Sequence, residues 1–129
     1  GMLIDLAHMP ESAARRVLEI TDKPVMFSHT HINSTELRHP RFISADIASD
    51  VAATGGLIGA WPSGIGISTL AGYADRIFKL IDAVGIDHVC MGTDTDLASL
   101  LLKRGLGEPE AAQFFGGNLL RVWQQSLAS

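Results

Sequence analysis

Apolar residues along this chain come in two rhythms. Four short runs are nearly continuous: L-I-D-L within Met2–Leu6, V-M-F within Pro24–Ser28, L-I-G-A-W within Gly56–Trp61 and V-C-M-G within His88–Gly92. Runs of this length without alternation predict parallel strands covered on both faces, with Asp5 as the polar exception. Between them the apolar positions recur at helical spacing. Glu11–Ile20 carries Ala13, Ala14, Val17, Leu18 and Ile20 behind Pro10, a residue suited to a helix start. Ser44–Ala53 offers Ala45, Ile47, Ala48 and Val51, with Ser44 as N-cap. Thr69–Val84 has the clearest stripe: Leu70, Ala74, Ile77, Phe78, Ile81 and Val84. Asp96–Lys103 follows the fourth strand, Pro109 opens a helix through Phe115, Gly116-Gly117 stops it, and Asn118 is expected to cap a last helix over Leu119–Leu127.

The pattern is an α/β chain of four βα units with C-terminal helices, residues 1–129 forming a single domain without linker or repeat. Strict alternation of strand and helix means a parallel sheet with right-handed crossovers. Two architectures satisfy it, a small open doubly wound sheet and half of an eight-stranded barrel. The glycine string Ser63–Ser68 lacks the lysine of a phosphate loop, so it adds no nucleotide site.

Chemistry in parallel α/β folds gathers at the carboxyl ends of strands. The first run ends at His8, the second at His29 and the fourth at Asp94, while the third ends A-W-P with nothing ionisable. Two imidazoles and a carboxylate on one rim are suitable ligands for a divalent ion. The competing reading has each histidine capping its strand with ordinary hydrogen bonds. His31, in the turn-like string T-H-I-N-S-T, is read as outside the ligand set, His39 as a loop residue and His88 as structural at the opposite end of its strand. Arg38 and Arg41 flank His39-Pro40 on the rim side, where a guanidinium can clamp a carboxylate with two hydrogen bonds. Asp96 serves equally well as a helix N-cap.

Composition narrows the classes. The net charge of −4 gives no basic stripe for nucleic acid. No apolar run approaches the roughly 18 residues of a membrane span, and the start lacks the basic region of a signal peptide. Cys90 is the single cysteine, sits in an apolar run and is expected in the core. An internal disulfide is excluded, which fits a reducing, cytoplasmic setting.

Six pieces in order, G-M-L-I-D-L-A-H, P-V-M-F-S-H-T-H, H-P-R, G-G-L-I-G, G-I-D-H-V-C-M-G-T-D-T-D and G-G-N-L-L-R-V-W, with 21 positions from His8 to His29, resemble the carboxyl-terminal half of the membrane (renal) dipeptidase family. That family comprises zinc-dependent, amidohydrolase-like TIM barrels with a two-zinc site. The resemblance implies that the four strands are strands five to eight of such a barrel. It implies that His8 and His29 are metal ligands, that Arg41 holds the substrate carboxylate, and that Asp94 engages the substrate's amino end and assists proton transfer. The stretch from His29 to Arg41 is one residue longer than usual, which keeps Arg38 as an alternative. The family's D-F-D-G reads Asp94-Thr95-Asp96-Leu97 here, and its H-x-D motif and bridging glutamate have no counterpart in these residues.

The expected function is therefore a zinc-dependent dipeptidase acting on dipeptides, or the C-terminal portion of one. The alternative is a non-catalytic half-barrel acting as an oligomerising or interaction module. Half a barrel leaves two sheet edges and an apolar inner face to be covered. A homo-oligomer, a separate N-terminal half or the chain's own helices could cover them, and an oligomer is the expectation.

Overall fold

The computed structural model describes residues 1–92 and 97–128. Strands β1 (Ile4–Asp5), β2 (Val25–Thr30), β3 (Leu57–Ala60) and β4 (Val89–Met91) form one sheet in the order β1-β2-β3-β4. All three pairings are parallel, with Ile4 opposite Val25, Phe27 opposite Ile58 and Gly59 opposite Cys90. Helices α1 (Glu11–Ile20), α2 (Ala45–Ala53) and α3 (Leu70–Val84) make the crossovers. After β4 come α4 (Ala98–Lys103), α5 (Glu108–Ala112), a π-helical turn (Gln113–Gly117) and α6 (Asn118–Leu127). This is half of a (β/α)8 barrel laid out in sequence order.

Local chemistry explains the helix starts. Ser44 Oγ accepts from Ile47 N at 3.3 Å and Thr69 Oγ1 from Gly72 N at 3.0 Å, each satisfying one of the otherwise free N–H groups of a first turn. Successive strand residues face opposite ways. Val25, Phe27, Ile58, Ala60 and Val89 meet Ala14, Ile47, Val51, Tyr73, Ile77 and Leu80 in the main core. Tyr73 Oη also donates to the Ala60 carbonyl at 2.7 Å, locking α3 to the end of β3.

The other face departs from expectation. Leu57 is buried rather than left on an open inner face, because Val122 of α6 packs on it and on Cys90. Burial pushes the Cys90 thiol up to about 11, so it is an inert core group. The start of α6 runs under the amino ends of β3 and β4. There Arg121 donates to the Gly55 and Asp87 carbonyls, at 3.3 and 2.7 Å. Asn118 does not cap this helix. Its amide instead donates to the Ile86 and Val89 carbonyls at 2.7 and 2.9 Å, because those groups at the head of β4 have a stronger claim on a buried amide. Gly116-Gly117 interrupts the helical run as expected: Gly116 leaves helical geometry, and the kink within Gln113–Gly117 separates the preceding turns from α6.

Candidate metal and substrate site

The rim is built where β1 and β2 end. Main-chain N–H groups of Ala7 and Ser28 both donate to Asp5 Oδ1 at 3.0 Å, tying the first strand's exit to the second. Burial pushes the Asp5 carboxyl up, but these hydrogen bonds, with the nearby His29, outweigh it and hold the group below its ordinary value. Beyond Asp5 the chain turns through Leu6–Met9, and His8 adopts a left-handed φ of 66°. A non-glycine residue in that region stores roughly 1–3 kcal/mol of strain, a feature common at functional sites. On β2 the register against β3 shifts between Phe27 and Thr30, and His29 lies inside that irregularity, which frees it from the regular alternation. The glycine at 59 permits the close approach, since a Cβ there would stand 2.0 Å from the Ser28 carbonyl oxygen.

These two devices bring His8 Nε2 within 2.9 Å of His29 Nε2. Arg41, carried by the loop after β2, sets its Nε 3.1 Å from His8 Nδ1, and its guanidinium lies over the Trp61 ring, 4.7 Å from the centroid. His29 Nδ1 contacts Ser28 Oγ at 2.9 Å, and its ring meets Trp61 edge-on. Arginine can only donate, so His8 Nδ1 accepts. Arg41 Nη2 lies 2.7 Å from His8 Nδ1 and 2.8 Å from its Nε2, so the guanidinium stands against both ring nitrogens. Desolvation first, then the Arg41 charge and His29, keep His8 below the ordinary histidine value. The loop is held from both sides: Thr30 Oγ1 donates to the Arg41 carbonyl at 2.8 Å, and Arg41 N donates to His39 Nδ1 at 3.2 Å.

The remaining histidines stand apart from this pair. His88 Nδ1 meets the Gly56 carbonyl at 3.0 Å, at the far end of the sheet. His31, read from sequence as part of a turn, is 1% exposed; its Nε2 donates to the Trp61 carbonyl and its Nδ1 has no partner among the described residues. Desolvation is the main reason its pKa falls to about 4. Arg38 is exposed, and it is Arg41 that reaches His8. Asp94 and Asp96 lie outside the described residues. Sequence reasoning passed over Asp5 and Trp61 as site residues; Asp5, the lone polar residue in a continuous apolar run, was the available signal.

The whole chain, residues 1–129, matches the model of the membrane dipeptidase family, peptidase family M19. The chain belongs to that family. Dipeptidase verJ of Clonostachys rogersoniana is 31% identical over 143 residues, covering 95% of this chain and 37% of that protein. Dipeptidase ataJ of Aspergillus terreus is 28% identical over 149 residues, covering 97% of this chain and 36% of that protein. An amidohydrolase from Pseudomonas aeruginosa superimposes with a TM-score of 0.88 at 24% identity, over 100% of this chain and 54% of that one. A Rhodobacter sphaeroides metallopeptidase, solved with a phosphinate mimic of the dipeptide L-Ala-D-Ala, gives 0.82 at 19% identity, over 94% and 41%. The chain thus spans little more than a third of those two curated relatives, and 54% and 41% of the two solved structures.

As a metal site the rim fits in donor type. Two imidazole Nε2 atoms converge, and His29 has a hydroxyl behind its other nitrogen to fix its orientation. It falls short in number: among the described residues no three His, Cys, Asp or Glu side chains gather where one ion could sit, and a catalytic zinc takes three protein ligands. Among the described residues, too, no helix is long and apolar enough to cross a membrane.

Proposed function

We propose that this chain forms one wall of a zinc-dependent dipeptidase site, in which His8 and His29 hold the metal, Arg41 binds the substrate carboxylate and Asp94 handles the proton at the substrate's amino end. The observation that carries the reading is the 2.9 Å approach of His8 Nε2 and His29 Nε2 at the carboxyl ends of neighbouring parallel strands, with Arg41 beside them. A bound zinc would supply Lewis-acid polarisation of the scissile carbonyl and acidify a water. The chain's own residues do the rest. Arg41 presents a planar fork of N–H donors to a carboxylate, and its stacking on Trp61 restricts where that fork points. A dipeptide held by its carboxylate has its amide bond fixed relative to the imidazole pair, which converts a bimolecular encounter into a positioned one. The further ligands would come from residues beyond the described set, supplied by an N-terminal half or a partner chain.

Metal content per chain by plasma mass spectrometry, together with hydrolysis of a dipeptide panel by the wild type and His29→Ala, tests the proposal. Zinc retained by the wild type and lost from the variant, in step with activity, supports it. A wild type that neither holds metal nor cleaves any dipeptide overturns it for this polypeptide. Arg41→Met is expected to raise KM at least tenfold for dipeptides with a free carboxylate while leaving their C-terminal amides unchanged, the result of losing about 1.4 kcal/mol or more of charge-assisted binding.

A second reading, a non-catalytic half-barrel that oligomerises, draws on a separate observation. Leu120, Trp123 and Leu127 of α6 are 60%, 54% and 56% exposed along one stripe, and β1 is an exposed edge strand. Light scattering after size exclusion distinguishes the two, since this reading requires a stable metal-independent oligomer and a monomer rejects it.

A further inference from the structure

Between the loop after β2 and helix α3 lies a cavity of about 470 Å³ that shares no residue with the rim pair or Arg41. Its wall has an unusual inventory. His31 contributes a buried imidazole whose Nε2–H is spent on the Trp61 carbonyl, leaving the Nδ1 lone pair without a donor among the described residues. Arg76, half-buried, sits over the Phe42 ring at 5.5 Å and has no ion pair among the described residues. Lys79 and Glu36 also line the cavity and their charges attract, so Arg76 is left as the uncompensated charge. Leu37 and Leu80 supply apolar wall.

Each feature asks for a different group. An imidazole lone pair needs an N–H or O–H donor, a guanidinium needs a planar anion, and the leucines need hydrocarbon. A single water, with its share of about 30 Å³, could quiet Nδ1 but would leave most of the cavity and Arg76 unanswered. Sulfate or phosphate would answer Arg76 and waste the leucines. An aliphatic α-amino acid offers all three groups within one small molecule. We propose that this cavity binds a free α-amino acid with an aliphatic side chain, its carboxylate on Arg76, its ammonium donating to His31 Nδ1, and its side chain against Leu37 and Leu80.

The reading is independent of the dipeptidase proposal, and the test keeps them apart. L-Leucine is titrated into the chain in the presence of EDTA by calorimetry and by ligand-observed NMR. Alongside it run 4-methylpentanoate, which lacks the amine, and leucinamide, which lacks the carboxylate. Saturable leucine binding is expected, with each analogue at least about tenfold weaker. Arg76→Met should weaken leucine by a similar factor with its thermal melt unchanged, and His29→Ala should leave leucine binding as in the wild type. Absence of saturable leucine binding overturns the proposal. So do analogues that bind as well as leucine, a comparison made on the wild type that stands even if Arg76→Met fails to fold. Binding lost in His29→Ala but kept in Arg76→Met would move the ligand to the rim and overturn it equally.

Discussion

His31 makes the stability of this chain depend on pH in a calculable way. In the unfolded chain a histidine titrates near 6.5; in the fold, desolvation chiefly, with the Arg76 charge adding to it and the Trp61 hydrogen bond opposing it, brings His31 to about 4. A depressed histidine is neutral in the native state while the unfolded state already takes up the proton. Stability is therefore fully present above pH 6.5 and is lost as pH falls from 6.5 toward 4. The gap of about 2.5 units at about 1.36 kcal/mol per unit gives a loss of roughly 3 kcal/mol, a large share of the stability of an ordinary domain. His31→Gln keeps an N–H to offer the Trp61 carbonyl and removes the titration. Urea unfolding followed by tryptophan fluorescence at pH 7, 6, 5 and 4.5 measures both proteins, and subtraction cancels the other histidines. The variant is expected to be less stable than wild type at pH 7, by about 1 kcal/mol, and to recover about 2–3 kcal/mol relative to it by pH 4.5. Parallel curves across that range would refute the assignment of His31 as a neutral, buried imidazole.

Other positions give simpler expectations. Tyr73→Phe removes one of two donors to the Ala60 carbonyl, which keeps the Gly92 N–H at 3.1 Å, and should cost about 1 kcal/mol in urea unfolding at pH 7. Asn118→Ala removes two donors to Ile86 and Val89 at once and should cost more, about 2–4 kcal/mol; a loss under 1 kcal/mol would mean the amide acts as no more than a surface cap. Gly59→Ala forces a Cβ onto the Ser28 carbonyl and should destabilise by at least about 3 kcal/mol, or abolish soluble expression, with a near-neutral effect contradicting the tight β2–β3 approach. Arg41 and a metal compete for His8, because the guanidinium donates to Nδ1 and its Nη2 lies 2.8 Å from the Nε2 that a metal would take. Arg41→Met should therefore bind cobalt or zinc about five- to tenfold more tightly in a chelator competition, the equivalent of about one hydrogen bond, and unchanged or weaker binding would count against that rivalry.

What could be read from the chain follows the range of the forces involved. Strand runs and the stripes of α1, α2 and α3 are written locally, and so are the hydroxyl caps at Ser44 and Thr69, because each needs only residues within a turn or two. The meeting of His8 with His29 was also accessible, since parallel strands put their carboxyl ends on one side whatever the details. The misreadings come from partners far along the chain. Asn118 after two glycines is a good local cap, but the fold offers its amide two carbonyls some thirty residues earlier. His31 stands in a string of turn formers, yet the return of the chain makes Ile43 N donate to its carbonyl at 2.9 Å and sets the Ile32–Ile43 bridge beside it, which seals the ring inside. Spacing alone could not say which of Arg38 and Arg41 reaches His8, because that depends on Thr30 and His39 gripping the backbone of Arg41. The left-handed turn at His8 and the register shift around His29 are equally invisible to pattern reading, and they are what aim the two rings at each other. A site whose residue types are local but whose geometry is strained by long-range contacts is tested best away from the ligands themselves. Removing the Ser28 hydroxyl, which steadies His29 Nδ1, should loosen the imidazole pair while leaving both histidines in place.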